Sequence, residues 1–526
     1  MKTLYYGGTI LPMDGTGQVE SLLVENGIIQ AGGNLEELEP LAKGAQRVDL
    51  EGRTLLPAFV DGHSHITALA QTLGLAQLSG CRSLDEIGQR LRAFRKQWSI
   101  PPGEWVIGFG YDQNDLKEGR HPTAADLDAF LPDCPVMVTH TSGHMGAVNS
   151  LGLKALGVHE STPDPEGGKI GRLPDGSPNG YLEEAAFTNM GSRIPRDPEA
   201  SLKNLKRAEE VYFSQGITTI HEGLARQPEW DLLETAASRG LLRGDVAAYV
   251  DIKDSAELLE EHREYLGQYR NRLKLAGYKL FLDGSPQGRT AWMEEPYQNG
   301  EKDYRGYPVY QDQQVLEFLE KAQRENIQIA THCNGDAAAA QLLRCYQTAY
   351  EKYGNHIRPI MVHAQLLRPD QVSKLRELHM IASFFVAHVY HWGDVHLENF
   401  GADRASQISP AKTALENGVV FDFHQDSPVI PPNMLETIWC AVCRHTKSGK
   451  TLGENQRITP EEALRAITYN AAYALFEERD KGTLSPGKRA DMVILDRDPL
   501  SCPAEELKNL HILETIKDGE TVYAAD

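Results

Sequence analysis

The sequence predicts an α/β protein: a (β/α)8 TIM-like barrel, a small β-sandwich built from both chain termini, and an inserted α+β subdomain after the first barrel strand. Three observations lead there. Apolar, β-rich runs recur at 56–62, 217–222, 246–251, 276–282, 327–333, 359–364, 380–386 and 418–424, with amphipathic helical stretches between most of them. Short β-type segments with glycine turns occupy both ends of the chain. The interval between the first two runs is far too long for one crossover.

The first 56 residues alternate β-type runs with turns (TLYYGGTIL, SLLVENGIIQAGG, QRVDLEGRTLL), and GTLSPGKRADMVILDRDP and HILETIKDGETVYAAD repeat the texture at the other end. Asn26-Gly27 and Asp518-Gly519 are hairpin dipeptides, because a type I′ turn needs positive φ at both central positions. Neither set of strands covers its own edges, so residues 1–56 and 482–526 are expected to assemble one sandwich. The barrel is expected over 57–481, with the insertion at about 67–200. That insertion offers a helix after Pro122-Thr123 (AADLDAFL), a strand in CPVMVTHTSGH and a Gly/Pro-rich loop, DPEGGKIGRLPDGSPNG. Long insertions on the catalytic side of a barrel shape the substrate pocket. Further on, Asp336 marks the start of a helix through AAAAQLLRCYQTAYEKYG, and Thr459-Pro460-Glu461-Glu462 combines a capping box with proline in the first turn.

At 526 residues the chain exceeds one ordinary domain but suits a barrel with insertions and a satellite. Apolar residues at 41% and charged residues at 24% are those of a folded globular protein. A net charge of -21 supplies no basic footprint for nucleic acid or an anionic membrane, which leaves a small molecule as the expected partner. The amino terminus lacks the apolar core and cleavage site of a signal peptide, and no run is long enough to span a bilayer. A cytoplasmic location is expected, with a homodimer as the commonest oligomer. Seven scattered cysteines without framework spacing suit a reducing compartment. Cys440 and Cys443 form a C-x-x-C, but with no second pair and apolar helical neighbours they are expected in the core.

The chemistry gathers where the runs end. LLPAFVDGHSHI at 55–66 presents His63 and His65, and positions two apart in an extended chain point to one side, where they can grip one ion. Strand four offers Lys279 (YKLFLDGS), strand five His332 (IATHCNGD), strand six His363 (IMVHAQ) and strand eight Asp426 (FDFHQDSP). Barrel enzymes collect their catalytic groups at the carboxyl ends of the strands. Imidazoles and carboxylates suit Zn²⁺, although Mn²⁺, Fe²⁺ or Co²⁺ take the same donors. A charged ammonium ligates nothing, so Lys279 must act neutral if it takes part; otherwise it is an ordinary buried partner of Asp283.

With these residues the chain resembles the metal-dependent amidohydrolase superfamily and, within it, amidohydrolase family 3. The resemblance also rests on SGHMGAVNS at 142–150, TPDPEGGKIGR at 162–172, LDGSPQGRTAWM at 282–293, HCNGDAA at 332–338 and SPGKRADMVILD at 485–496. It implies hydrolysis of an amide-type C–N bond, in the N-acyl or N-formyl amine class, with one or two divalent ions. His63, His65 and Asp426 would hold one ion, His332 and His363 the other, and a CO₂-derived carbamate on Lys279 would bridge them. A metal-activated hydroxide attacks the carbonyl, and Asp426 is general base and then acid. His144 in the insertion, Arg289 after strand four, and His388 and His391 after strand seven are the expected substrate-binding residues.

The chain departs from the family in having His424-Gln425 where relatives commonly have Gly-Ser before the strand-eight aspartate. His424 lies two residues before Asp426 but occupies no ligand position of the family, so the expected set omits it. A mononuclear deaminase wants a Glu after the strand-six histidine, and the sequence there runs His363-Ala364-Gln365-Leu366. Ester or cyclic-amide hydrolysis within the superfamily is the remaining enzymatic alternative. A catalytically inactive binding barrel conflicts with retention of all six candidate ligands.

Overall fold

A computed structural model describes residues 1–191, 193–194 and 197–525. It divides into two units, Met1–Leu69 with Leu205–Asp526, and Ala70–Asn204. The first unit contains the barrel. Its strands run in chain order, Phe59–Val60, Ile217–Ala225, Asp245–Asp251, Leu273–Phe281, Ile329–Cys333, Ile360–His363, Ile381–Phe384 and Phe421–Phe423, each parallel to the next. Asp245–Asp251 is buried at every position, as a parallel strand covered on both faces must be. Helices such as Asp312–Glu325, Asp336–Tyr353 and Pro369–Glu377 form the crossovers.

Strands eight and one close the barrel without a ladder between them. Beyond their ends, Asp426 N–H donates to His63 O at 3.2 Å and His65 N–H donates to Ser427 O at 2.8 Å. Gly62 permits this approach, because a Cβ there would stand 2.5 Å from Asp422 Oδ1 and 2.7 Å from Phe423 O. The apolar run expected at 56–62 is divided. Thr54–Pro57 pairs antiparallel with Met492–Leu495 in another sheet, and the barrel begins where Phe59 N–H donates to Gly216 O at 2.8 Å.

The other sheet of this unit joins both chain ends. Its order is Glu520–Ala524, Ile512–Lys517, Met492–Leu495, Thr54–Pro57, Lys2–Ile10, Val19–Glu25 and Ile28–Gly33, with Gln46–Asp49 also pairing along Lys2–Ile10. Both expected hairpins form: φ is 52° at Asn26 and 77° at Gly27, 50° at Asp518 and 76° at Gly519. Thr459 caps the helix Pro460–Ala466, accepting from Glu462 N–H at 3.2 Å while Glu462 accepts from Thr459 N–H at 2.7 Å. Asp336 is the first residue of its helix, with Gly335 at the cap. Cys440 and Cys443 are buried free thiols on the helix Met434–Cys443.

The second unit has a sheet of six strands, Ala76–Gln77, Val106–Tyr111, Val136–His140, Met145–Val148, Gly168–Arg172 and Pro178–Glu184. The helix expected after Thr123 spans Ala124–Phe130, with Thr123 N–H donating to Asp126 at 2.8 Å. Among the described residues, no helix is long and apolar enough to cross a membrane.

Candidate metal centre

His63 lies in a bend after strand one and His65 at an isolated bridge just beyond it, rather than both in one extended strand. Asp61 Oδ1 accepts from His63 N–H at 3.3 Å, the Ser64 hydroxyl donates to Asp61 Oδ2, and Tyr212 OH donates to Ser64 Oγ at 2.7 Å. The pinned bend sets the two imidazoles 5.1 Å apart at 78°. Asp426 follows strand eight with a left-handed φ of 54°, a conformation that costs a non-glycine residue of order 1–3 kcal/mol and recurs at functional sites. Its Oδ1 stands 3.4 Å from His65 Nε2 and 3.7 Å from His63 Nε2.

Among the described residues, His63, His65 and Asp426 form the one group of three or more His, Cys, Asp or Glu side chains able to hold an ion, with ligand atoms within 4.8 Å of one another. Asp426 Oδ1 is shut from solvent and has no hydrogen-bond partner. A buried carboxylate oxygen is costly unless it is paired or coordinates a metal. Two imidazoles and that orphaned oxygen fit a divalent cation.

Glu222, in the second half of strand two, completes this side. Its Oε1 is 3.4 Å from His65 Nδ1, while Oε2 accepts from Thr67 N–H at 3.0 Å and Thr67 Oγ1 at 2.6 Å. A carboxylate behind one ring nitrogen directs the other nitrogen at the ion. Burial opposes protonation of His65, but the neighbouring Asp426 and Glu222 carboxylates outweigh it and lift its pKa to about 9. The negative potential that attracts this proton attracts a cation equally.

Lys279 Nζ lies 3.0 Å from His63 Nε2. Burial pulls the ammonium down to about 7, with Asp426 opposing. Asp283 is not its ion partner: that carboxylate accepts backbone N–H groups of Asn334 at 2.9 Å, Gly335 at 2.8 Å and Trp292 at 3.0 Å. His332 Nδ1 and His363 Nε2 face each other at 2.9 Å, and the His363 ring lies 5.8 Å from that of His63. All six expected ligands therefore meet at one barrel mouth. Burial depresses the pKa of His63 and His363 far below the ordinary imidazole value and that of His332 to about 4, so each is neutral, the form that ligates.

The structure adds His424, which the expected set omits. Its Nε2 is 3.1 Å from His363 Nδ1, and its ring centre is 5.5 Å from that of His63. Glu222 is the other residue missed; the run ITTIHEG placed it at a strand end, where a lone acid carries no spacing signal. The four expected substrate contacts have other partners. Arg289 is exposed and donates to Asn299 O at 2.7 Å; His388 Nδ1 faces His396 Nε2 at 3.1 Å; His391 Nε2 faces Glu436 Oε1 at 2.8 Å. In the second unit, exposed His144 Nδ1 lies 3.1 Å from Glu184 Oε2.

The profile of a family described as "Amidohydrolase family" matches residues 46–523. YtcJ of Bacillus subtilis (strain 168) is 28% identical over 99% of this chain and 99% of its own. The N-substituted formamide deformylase of Arthrobacter pascens is 27% identical over 96% of this chain and 95% of its own. Among solved structures, an uncharacterized metal-dependent hydrolase from Pyrococcus furiosus superposes with a TM-score of 0.76 at 27% identity, covering 95% of this chain and 100% of that one.

Proposed function

The chain belongs to the amidohydrolase family and is a metal-dependent hydrolase, and from that premise we propose that it cleaves an amide-type C–N bond in an N-acyl or N-formyl amine. The observation that carries this reading is the unpartnered Asp426 Oδ1, turned toward both first-strand histidines at the carboxyl face of the barrel. A relative named for deformylation of N-substituted formamides supports the N-formyl class.

His63, His65 and Asp426 would hold one ion, and His332 with His363 a second; nitrogen and oxygen donors of this kind favour Zn²⁺. Divalent ions at this place supply a water of lowered pKa and polarise a carbonyl. Asp426, kept ionised by His65 against the effect of burial, accepts the proton of the attacking water and delivers it to the departing amine nitrogen. Glu222 keeps His65 oriented while this happens.

Lys279 has the chemistry for carbamate formation. With its pKa at about 7, a large share of the amine is neutral near neutral pH and attacks CO₂. An N–C bond forms, one proton leaves, and a carboxylate on the lysine replaces the ammonium, so a cation that repels ions becomes an anionic ligand.

Metal analysis of the purified protein, with and without bicarbonate in growth and assay media, tests the reading when coupled to a screen of N-acyl and N-formyl amines. Expected results are two ions per chain in bicarbonate, amine release from this substrate class, and a drop of about 10²–10⁴-fold for Asp426→Asn. Absence of any transition metal after reconstitution, or undiminished hydrolysis by Asp426→Asn, removes the mechanism.

A further inference from the structure

We propose that His424 is a positioning residue: it accepts the Nδ1 proton of His363 and so keeps His363 Nε2 as a lone pair facing His332, ready for a cation. This deepens the reading above and rests on it in taking His332 and His363 as ligands.

Hydrogen-bond bookkeeping along one buried row of side chains carries the inference. Gly284 O is 3.3 Å from His332 Nε2; His332 Nδ1 is 2.9 Å from His363 Nε2; His363 Nδ1 is 3.1 Å from His424 Nε2; His424 Nδ1 is 2.8 Å from Ser383 Oγ.

A neutral imidazole has one N–H and one lone pair, so each ring passes the direction of donation to the next. With His363 Nε2 as the ligating atom, the His363 proton sits on Nδ1, and His424 Nε2 at 3.1 Å is the acceptor that faces it. His424 then carries its own proton on Nδ1, where Ser383 Oγ accepts it at 2.8 Å. Loss of the His424 acceptor frees the His363 proton to move to Nε2, which closes that atom to a cation.

At the other end His332 has two choices. Its Nε2–H donates to Gly284 O, or Nε2 accepts from the Asn334 amide at 3.1 Å and the proton moves to Nδ1. In the first arrangement two lone pairs oppose each other across 2.9 Å, which is unfavourable without a cation between them. His332 is thus free to switch tautomer as an ion arrives, whereas His424 holds His363 fixed. Metal-ligating histidines commonly donate their second N–H to an acceptor that sets the ring and its basicity, and here an imidazole serves as that acceptor.

Equilibrium Zn²⁺ titration of the chelator-stripped protein in bicarbonate, against a competing chromophoric chelator, tests the assignment on binding steps rather than turnover. His424→Phe keeps a buried ring but removes both nitrogens. It is expected to weaken the second ion by about 10- to 100-fold while leaving the first ion within about threefold. His424→Gln, whose amide both accepts and donates, is expected to recover most of that loss. Ser383→Ala, which leaves the ring in place but takes away its acceptor, is expected to weaken the same step by about 10-fold. Thermal melts of each stripped variant separate this from misfolding, and Ser383→Ala with His424→Gln carry the test if the phenylalanine variant does not fold. If the wild type binds two ions and His424→Phe or Ser383→Ala binds them equally well, His424 only packs and the inference is overturned. A wild type that binds one ion, unaffected by His363→Ala, removes the two-ion reading and this inference together.

Discussion

Glu222 shows how a residue with no motif enters the site. The His63-x-His65 pair stands out in the sequence because two ligand-type side chains sit at adjacent same-side positions. Their convergence nevertheless comes from a bend pinned by Asp61, Ser64 and Tyr212 rather than from the pleat of a strand. Glu222 reaches His65 through an isolated bridge between the two backbones, a contact that exists only once strands one and two are in register. Replacing Glu222 with Gln is expected to leave the barrel folded but to weaken the first ion by about 10- to 100-fold, since His65 loses the carboxylate behind Nδ1. Zn²⁺ affinity of the stripped variant measures this, and an unchanged value means Glu222 serves only its hydrogen bonds to Thr67 and Leu224. His424 escaped notice for a related reason. Its value lies in a ring on strand six and a hydroxyl on strand seven, and neither is near it in the chain.

At the level of elements, most of the barrel was legible because parallel strands buried on both faces read as continuous apolar runs. Continuity is also what hid the break at Ala58. Leu55 and Leu56 belong to the terminal sheet and Phe59 and Val60 to the barrel, yet all are fully buried and apolar, so no change of pattern marks the boundary. The hairpin dipeptides were legible from backbone sterics alone. What the dipeptides do not reveal is that the two turns pack together: a Cβ on Gly27 would meet Asp518 O at 2.4 Å, and one on Gly519 would meet Gly27 Cα at 3.2 Å. Gly27→Ala therefore faces both a positive φ of 77° and a backbone oxygen that cannot yield without moving the other hairpin. A loss of about 1–3 kcal/mol is expected in urea unfolding, from strain at a special φ together with overpacking. A variant as stable as the parent would mean the two turns separate freely.

Across the first unit, a cluster of buried charges ties the terminal sheet to the barrel. Asp245, at the start of strand three, accepts from Lys481 at 2.6 Å and Lys517 at 2.7 Å; Lys517 also meets Asp491 at 2.7 Å, and Glu477 pairs with Lys481 at 2.9 Å and with Lys274. Breaking one member of a buried pair leaves the other uncompensated, so Lys517→Met is expected to cost about 3–5 kcal/mol although it lies outside the metal centre. Urea unfolding measures that cost, and a loss below about 1 kcal/mol would mean Lys481 and Arg272 satisfy Asp245 without it.

The same burial makes the unit sensitive to acid in a way whose sign can be worked out. Burial opposes ionisation of Glu477, but Lys481 and Lys274 outweigh it and hold the pKa at about 2; its contribution is present above the ordinary glutamate value and is lost as pH falls toward 2. His221 is buried with neither ring nitrogen hydrogen-bonded, and burial, helped by Lys274, lowers its pKa to about 3. The unfolded chain takes up a proton there below about 6.5 and the folded protein does not, so stability drains away between 6.5 and 3. Asp283 and Glu209 act oppositely. Burial raises both to about 7, so their contribution is full below the ordinary carboxylate range and is lost as pH rises toward 7. Because opposing groups overlap, the wild-type profile alone assigns nothing, and the informative quantity is a difference. His221→Phe removes one titrating group and keeps a ring against Tyr249, 5.6 Å away in the parent. Relative to wild type, its urea midpoint is expected to improve steadily as pH drops from 6.5 to 4.5, by at most ~1.4 kcal/mol per pH unit for a single proton. Parallel profiles would show that the folded protein protonates His221 as readily as the unfolded chain does, and burial would then not be what holds the ring neutral.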